Sequence, residues 1–306
     1  MAQHYRDTRL TTVTRLKSFA DPKSDLWTDA TMDALLGRCV VEASGIISDW
    51  CERRFEGRIH TAYLDGKGLA SMWLAHWPVA QPEPTLQINF TSGGTYRLSQ
   101  GDTITGANSG ATATVCWISW LSSGRWDAGD AAGTLYLADQ TGGKFEAEEL
   151  DVTLQGETSV ATIAGDSSAS AEFGIWIDAS RDFAAADKLT EERDGVSGDY
   201  LIYPEEEGRG RLEAIGMYDL GSPGKWTKGR RNIKIVLPLG WDEAPAPVEE
   251  AVQRVSLKLY EQATILTHGA ESVDLAPSGG TARPGERKRL PGDVEGLLWA
   301  YKRELT

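Results

Sequence analysis

The chain has 306 residues, of which 41% are hydrophobic and 25% charged, and its formal net charge is −14. This composition is typical of a folded globular protein, and the length is sufficient for two compact units. The negative charge argues against general affinity for the DNA or RNA backbone, which attracts a surplus of Lys and Arg.

The start of the chain lacks the pattern of a secreted or membrane-inserted protein. No run of about eighteen apolar residues occurs, and MAQHYRDTRL carries charges where a signal peptide needs an apolar stretch. We therefore expect synthesis in the cytoplasm and no membrane partner. Cys39, Cys51 and Cys116 show no C-x-x-C spacing, so we expect buried, reduced thiols.

The first strong helix signal covers residues 27–57. Apolar side chains recur there at helical spacing, and Thr28 before Asp29 suits the N-cap. Gly57 lies where a glycine often ends a helix. Gly45 in the middle costs about 1 kcal/mol relative to Ala, so we expect a neighbouring backbone to approach closely there.

Short strands are predicted next. Residues 61–65 and 71–77 have the pattern of a hairpin that turns at Gly66-Lys67-Gly68, and residues 86–90 form a further strand. From residue 91 the chain consists of short strands separated by glycines at the spacing of a small sandwich or barrel. Residues 91–172 are therefore predicted to be an inserted all-β domain, and the window 91–175 holds eleven acids and three bases.

Longer elements return after residue 172. FGIWID, DYLIYP, RLEAIGM and the second half of GKWTKGRRNIKIVLPLGW have strand patterns, and APVEEAVQRVSLKLYEQATILTHG has one apolar helical stripe. Neither long helix can bury its stripe alone, so we expect the two to pack together across the β segment. Residues 270–306 are predicted to be an extended arm that ends in a short amphipathic helix.

Signatures of catalysis are absent from the sequence. It contains no G-x-S-x-G, H-E-x-x-H or Walker motif, and its four histidines have no metal-ligand spacing. We expect no catalytic residue, no metal and no cofactor. The acidic runs at 146–149 and 205–207 are interpreted as solvated charge, and a pair of glycosidase carboxylates remains the alternative.

Two basic clusters stand out against the acidic background, KWTKGRR at 225–231 and ERKRL at 286–290. Each is short and has little aromatic surface for stacking nucleobases. We favour contact with an acidic face of a neighbouring subunit or partner over contact with nucleic acid.

The order of several phrases resembles the head-to-tail connector (adaptor) proteins of tailed bacteriophages. These phrases are DWCERRF, YLDGKG, WPV, KWTKGRRNIKIVLPLGW, LKLYEQ and LPGDVEGLLWAYKREL, and they span about residues 25–90 and 173–306. The resemblance implies an α+β fold with a small helical-bundle core and a few strands, formed by residues 1–90 and 173–269. The β domain at 91–172 would interrupt this core, and the C-terminal arm at 270–306 would follow it.

The same resemblance implies a non-enzymatic virion protein at the neck, made in the host cytoplasm. Such proteins form a ring, commonly of twelve subunits, that binds the portal protein, extends the channel for passing double-stranded DNA and docks the tail or a tail-completion protein. The implied portal-docking residues are Arg287, Lys288, Arg289, Leu297, Leu298, Trp299 and Tyr301. The implied subunit or channel contacts are Trp226, Lys228, Arg230 and Arg231.

The β domain has a resemblance of its own. GDTITGANSGATATV and GTLYLADQTGGKFEAEEL are similar to glycine-punctuated β modules of phage virion proteins that decorate an outer surface, which implies a contact with the capsid protein. One alternative is a purely structural spacer. Another is a receptor- or glycan-binding role in which Trp117, Trp120 and Trp126 are stacking platforms.

Overall fold

A computed structural model of the chain describes residues 9–20, 30–74, 78–81, 83–94, 96–152, 155–170, 172–178, 181, 183, 186, 188–192, 197–206, 209–214, 224–267 and 290–302. The chain divides into two compact units. The helical unit contains Met1–Phe55 and Glu243–Thr306, and the β unit contains Glu56–Asp242.

Four helices form the described part of the helical unit. They are α1 (Val13–Ala20), α2 (Ala30–Cys51), α3 (Ala246–Thr267) and α4 (Gly292–Leu298), and a 3-10 turn follows at Trp299–Tyr301. Among the described residues, no helix has the length and apolar character needed to cross a membrane.

The predicted packing of the two long helices is confirmed, since α2 contacts α3 along the unit. Leu16, Leu36 and Val40 are fully buried, and Leu257 and Tyr260 pack against them. Each such side chain contributes roughly 1.5–3 kcal/mol when it leaves water. The apolar stripes of α2 and α3 are therefore satisfied within this unit.

Polar contacts fix the segment around α1 to the first turn of α3. Glu249 accepts hydrogen bonds from the Thr11 hydroxyl and from the Arg15 guanidinium, both at 2.7 Å. The Leu10 backbone N–H donates to the Ser44 hydroxyl of α2 at 3.1 Å. α1 was not predicted from the sequence pattern, because eight residues give little periodic signal.

The β unit contains thirteen strands among its described residues. They are β1 (Arg58–Gly66), β2 (Ser71–Trp73), β3 (Leu86–Gly93), β4 (Thr103–Gly106), β5 (Thr112–Ile118), β6 (Ala131–Thr141), β7 (Glu148–Val152), β8 (Glu157–Ile163), β9 (Ser168–Ala169), β10 (Gly174–Ile177), β11 (Tyr200–Glu206), β12 (Arg209–Ala214) and β13 (Gly229–Leu239).

Six of these strands close into an antiparallel barrel in the order β6-β5-β4-β7-β8-β3, and β3 returns to pair with β6. The short β9 adds to β3. Alternate side chains fill the interior, including Phe90, Ile104, Leu135 and Leu150, all at most 1% exposed. At Gly93 a Cβ would lie 2.7 Å from both the Trp126 ring and Ala131, so only glycine fits.

Two three-stranded sheets make up the rest of the β unit. One has the order β1-β13-β10 and the other β11-β12-β2. β1 and β13 pair from Arg58 opposite Leu239 to Gly66 opposite Gly229. The core of these two sheets contains Ile175, Tyr200, Ile202, Leu212, Trp226, Ile233, Ile235 and Leu237.

Buried aromatic side chains join the barrel to these sheets. Trp117 and Tyr136 of the barrel pack with Phe173, which immediately precedes β10. The Trp117 indole N–H donates to the Gly240 carbonyl at 2.8 Å, and the Trp126 indole N–H donates to the Asp242 carboxylate at 2.9 Å. The barrel is thus held at both ends of its tryptophan-bearing segment.

The predicted fold class is wrong. Strand accounts for 38% and helix for 26% of the structure, which contains a closed six-stranded barrel and is not a helical-bundle core with an inserted domain. The segments on either side of the barrel are themselves strands of two sheets, so β structure runs from Arg58 to Leu239. The six barrel strands run from Leu86 to Ile163, and β9 extends their sheet to Ala169, against a predicted 91–172.

The predicted hairpin of residues 61–77 is also wrong. β1 pairs with β13 and β2 pairs with β12, and no pairing between β1 and β2 is present among the described residues. Gly57 does not end the helix either, since α2 ends at Cys51. A Cβ at Gly57 would lie 2.5 Å from the Trp241 carbonyl oxygen, which is why a glycine is needed there.

Asp242→Ala tests the two contacts that this carboxylate makes just after β13. The change leaves the buried Trp126 indole N–H without an acceptor, which costs about 1–3 kcal/mol, and it also removes the ion pair with the half-exposed Arg97 at 2.7 Å. We expect the free energy of unfolding of the β unit to fall by that amount in urea titrations. Asp127→Ala is the control, because its ion pair with Arg125 is exposed and contributes about 0–1 kcal/mol. Equal losses in the two variants would contradict this assignment.

Gly45→Ala tests the space beside α2. The predicted close approach of a neighbouring backbone is absent: no atom of the described chain lies within 4 Å of a Cβ built at Gly45. Ala loses less backbone entropy than Gly in a helix, so we expect a gain of about 0.5–1 kcal/mol. Helix circular dichroism during thermal unfolding measures it, and a destabilised variant would show that the space is occupied. Gly57→Ala should give the opposite sign.

Candidate functional site

The described residues offer little for covalent or metal chemistry. They contain no group of three or more His, Cys, Asp or Glu side chains that could hold a metal ion. Cys39, Cys51 and Cys116 are buried thiols. Burial, only partly opposed by the charges of Arg53 and Lys302, raises the pKa of the Cys51 thiol to about 12. That thiol therefore stays protonated at neutral pH and is a poor nucleophile.

The C-terminal helix divides the predicted portal-docking residues into two groups. Leu298 is fully buried, and Tyr301 meets the Phe55 ring edge-on at 6.1 Å, so both hold α4 in the helical unit. Trp299 is 68% exposed. Leu297 is half-buried, and Arg287, Lys288 and Arg289 lie outside the described residues.

Contacts around Trp299 fix its surroundings. The Lys302 ammonium lies 5.7 Å from the Trp299 ring centroid and 4.6 Å from that of Trp50 on α2. Arg254 of α3 donates to the Asp293 carboxylate of α4 at 2.8 Å. The exposed indole therefore belongs to an ordered surface of the helical unit.

The turn after β1, the turn before β13 and the start of β13 carry what we call the basic tip: Lys67, Lys225, Lys228, Arg230 and Arg231, all exposed. Trp226 between them is 1% exposed and packs in the core of the two sheets, so its predicted role as a subunit or channel contact is wrong. Its backbone N–H donates to the Leu69 carbonyl at 2.9 Å. Trp226 instead anchors the segment that presents the cations.

Asn232 gives the basic tip its shape. Its side chain is buried, accepts a hydrogen bond from the Gly66 N–H at 2.9 Å and donates to the Thr227 carbonyl at 2.9 Å. The Arg231 guanidinium lies 5.5 Å from the centroid of the Tyr63 ring. Within the part of the chain that the structure describes, hydrogen bonds and a ring contact hold the tip, and no ion pair does.

The tryptophans of the barrel do not form a stacking platform. Trp117 is 4% exposed and Trp126 is 2% exposed, while Trp120 is half-buried. The Trp126 ring stacks on Phe90 with centroids 5.1 Å apart, and both indole N–H groups are used inside the β unit. Burial excludes Trp117 and Trp126 as ligand-facing residues, because neither ring has an open face.

Carboxylates collect on β7 and on the segment just before it, in what we call the acidic face: Glu146, Glu149 and Asp151. Asp151 is half-buried and the other two are exposed. Glu149 and Asp151 alternate on β7 with buried Leu150, because successive side chains of a strand point to opposite sides. The Ser159 hydroxyl donates to Glu149 and the Ser159 N–H donates to Asp151, so two of the carboxylates are oriented.

A recess opens beside the acidic face. Its volume is about 410 Å³, and it is lined by Ala107, Asn108, Ala147, Glu148, Glu149, Thr162 and Ile163. Glu148 is buried and accepts hydrogen bonds from the backbone N–H groups of Asn108, Ser109 and Glu146 and from the Ser109 hydroxyl. Its oxygens therefore hold the β4–β5 turn, and Glu149 supplies the exposed carboxylate of the recess.

The structure changes two predicted charged clusters, the basic cluster at 225–231 and the acidic run at 146–149. Lys228 lies against Gly68 of the Gly66-Lys67-Gly68 turn, and β13 begins beside the same turn, for which the sequence predicts only a hairpin role. The acidic run at 146–149 is interpreted from the sequence as a solvated loop or charged rim, whereas Glu148 is buried. The sequence EELDV could have distinguished the two residues. In a strand, alternate positions face inward, so Glu148 shares the buried side with Leu150 and Val152 whereas Glu149 faces outward.

Comparison of the chain with protein-family models, curated proteins and solved structures found no match in any of the three.

Glu148→Gln tests the role of this carboxylate in the barrel. Burial would raise the pKa of Glu148, but the hydrogen bonds from Ser109, Glu146 and Asn108 outweigh it and hold the pKa below its ordinary value. A lowered folded-state pKa stabilises the protein above the unfolded-state pKa, and this contribution is lost as the pH falls through the folded-state pKa. At pH ~7 we expect Glu148→Gln to cost about 1–3 kcal/mol, and the difference should shrink below pH ~4.5.

Urea unfolding of the two proteins at several pH values measures this difference. Asp166→Asn, at an exposed position after β8, is the control and should leave the pH profile unchanged. A Glu148→Gln penalty that stays constant between neutral and acid pH would contradict the assignment.

Proposed function

We propose that the chain is a virion structural protein, a subunit of the ring that connects the head and tail of a tailed bacteriophage. The observation that carries the proposal is that phrases far apart in the sequence, which together resemble the connector family, are structural partners. YLDG of β1 pairs with RRNIKIVLPL of β13, and α2, which contains DWC, packs on α3, which contains LKLYEQ.

This arrangement supports a common origin of the phrases in one older fold. The segments that carry the resemblance contact one another, although the barrel strands separate them in the sequence. Chance similarity of isolated short phrases gives no reason for such mutual pairing. The resemblance implied a helical-bundle core, and the abundance of strands in this chain is the point at which it departs from that expectation.

The proposed role needs binding surfaces and no catalytic centre. Trp299 is our candidate for the contact with the portal protein, because aromatic side chains are enriched at the centres of interfaces. The basic tip and the acidic face are candidates for contacts among subunits. A glycan-binding role has no support from Trp117 and Trp126, whose rings are buried.

Trp299→Ala tests the proposal with the portal protein encoded in the same genome as this chain. The wild-type chain should bind the purified portal ring, and the variant should bind about 30-fold more weakly, since a central interface tryptophan contributes about 2 kcal/mol or more. Phe19→Ala, at another exposed aromatic residue of the helical unit, is the matched control and should bind as the wild type does.

Biolayer interferometry gives the affinities, and mass photometry gives the number of chains on each portal ring. No binding of the wild-type chain to the portal would overturn the proposed function. If Trp299→Ala binds the portal ring as tightly as the wild type does, the connector function still stands, but Trp299 is not the docking residue.

A further inference from the structure

The described residues provide no ion-pair partner for most of the positive charges of the basic tip. Lys67, Lys225, Lys228 and Arg230 form no ion pair with any described residue. Asp65 contributes one oxygen, which accepts the Arg231 backbone N–H at 2.7 Å. Exposed cations crowded on one turn repel one another, so an acidic partner stabilises them.

The tip is also pre-shaped for such a partner. Trp226 and Asn232 are buried on either side of Lys228, and the Lys228 side chain lies against Gly68, where a Cβ would be 2.6 Å from its Cε. Leu69, beside the tip, is 58% exposed. A rigid turn that combines cations with one apolar side chain loses little conformational freedom on binding.

The acidic face on the barrel has the matching properties. Glu146, Glu149 and Asp151 form no ion pair with the described residues, and the recess beside Glu149 has room for a long basic side chain. A lysine or arginine inserted there would meet the Glu149 carboxylate and pack its methylene groups on the exposed side chains of Ala107 and Ala147.

We infer that the basic tip of one copy of this chain binds the acidic face of the next copy. This inference rests on the proposed ring and names its subunit contact. The two surfaces differ and lie on one unit of each chain, so the contact is head-to-tail, and its repetition closes a ring when the rotation between neighbours fits.

Duplex DNA is the other acidic occupant of a basic turn. The charge balance favours the second copy, because the chain has a net charge of −14, which repels phosphate at long range. The barrel window 91–175, with eleven acids and three bases, supplies the complementary surface within the same protein.

Two charge-reversed proteins test the inference. The tip variant is Lys228→Glu with Arg230→Glu, and the face variant is Glu146→Lys with Glu149→Lys. All four side chains are exposed, so both variants should unfold at the wild-type temperature. Arg231 is left intact because its guanidinium packs on Tyr63.

Sedimentation velocity should show wild-type self-association at ~50 mM NaCl that weakens about tenfold or more at ~500 mM NaCl. Each variant alone places like charges in contact and should associate about 100-fold more weakly than the wild type. An equimolar mixture of the two restores opposite charges at every contact, so it should assemble as the wild type does, with the two chains alternating.

Three outcomes would overturn the inference. The first is wild-type assembly by both variants alone, which leaves the proposed ring function intact. The second is retention of a short DNA duplex by the wild type and its loss in the tip variant, with no effect on self-association. The third is a monomeric wild type at ~50 mM NaCl; if that protein also fails to bind the portal ring, the proposed function fails with it.

Discussion

The antiparallel pairing of β1 with β13 is the constraint on which the rest of the β unit depends. It joins Arg58–Gly66 to Gly229–Leu239 and so closes a loop of roughly 160 residues, at an entropic cost of about 4–5 kcal/mol. Burial of Ile233, Ile235 and Leu237, at roughly 1.5–3 kcal/mol each, offsets that cost. Once the pair has formed, β10 adds to β13, and the turn that precedes β13 is fixed against the end of β1.

The same strand sets the position of the barrel. The Trp117 and Trp126 indoles donate to Gly240 and Asp242, just after β13, and Phe173 packs under Tyr136 just before β10. The barrel is therefore built into the β unit and is not a tethered addition. Consequently the basic tip and the acidic face belong to one compact unit, which is a property that a repeating head-to-tail contact requires.

Much of the local structure follows from the sequence. The helical periodicity predicted α2, α3 and their packing, and the spacing of glycines predicted short strands where the barrel strands from Leu86 to Ile163 are found. Strand partners could not be predicted, because β1 and β2 are neighbours in sequence whereas their partners β13 and β12 lie more than a hundred residues away. The burial of Trp117, Trp126 and Trp226 depends on those pairings, which is why three predicted surface residues proved to be core residues. The exposure of Lys228 and Arg230 depends less on them, since charged residues rarely leave water.

Cryo-electron microscopy of the neck of the virion that contains this chain tests the connector proposal most directly. The account predicts a closed ring of this chain between portal and tail, with Trp299 of each copy at the portal and the acidic face of each barrel against the basic tip of the next copy. Density for the chain on the capsid surface or the tail tip, with other proteins filling the neck, would contradict the account.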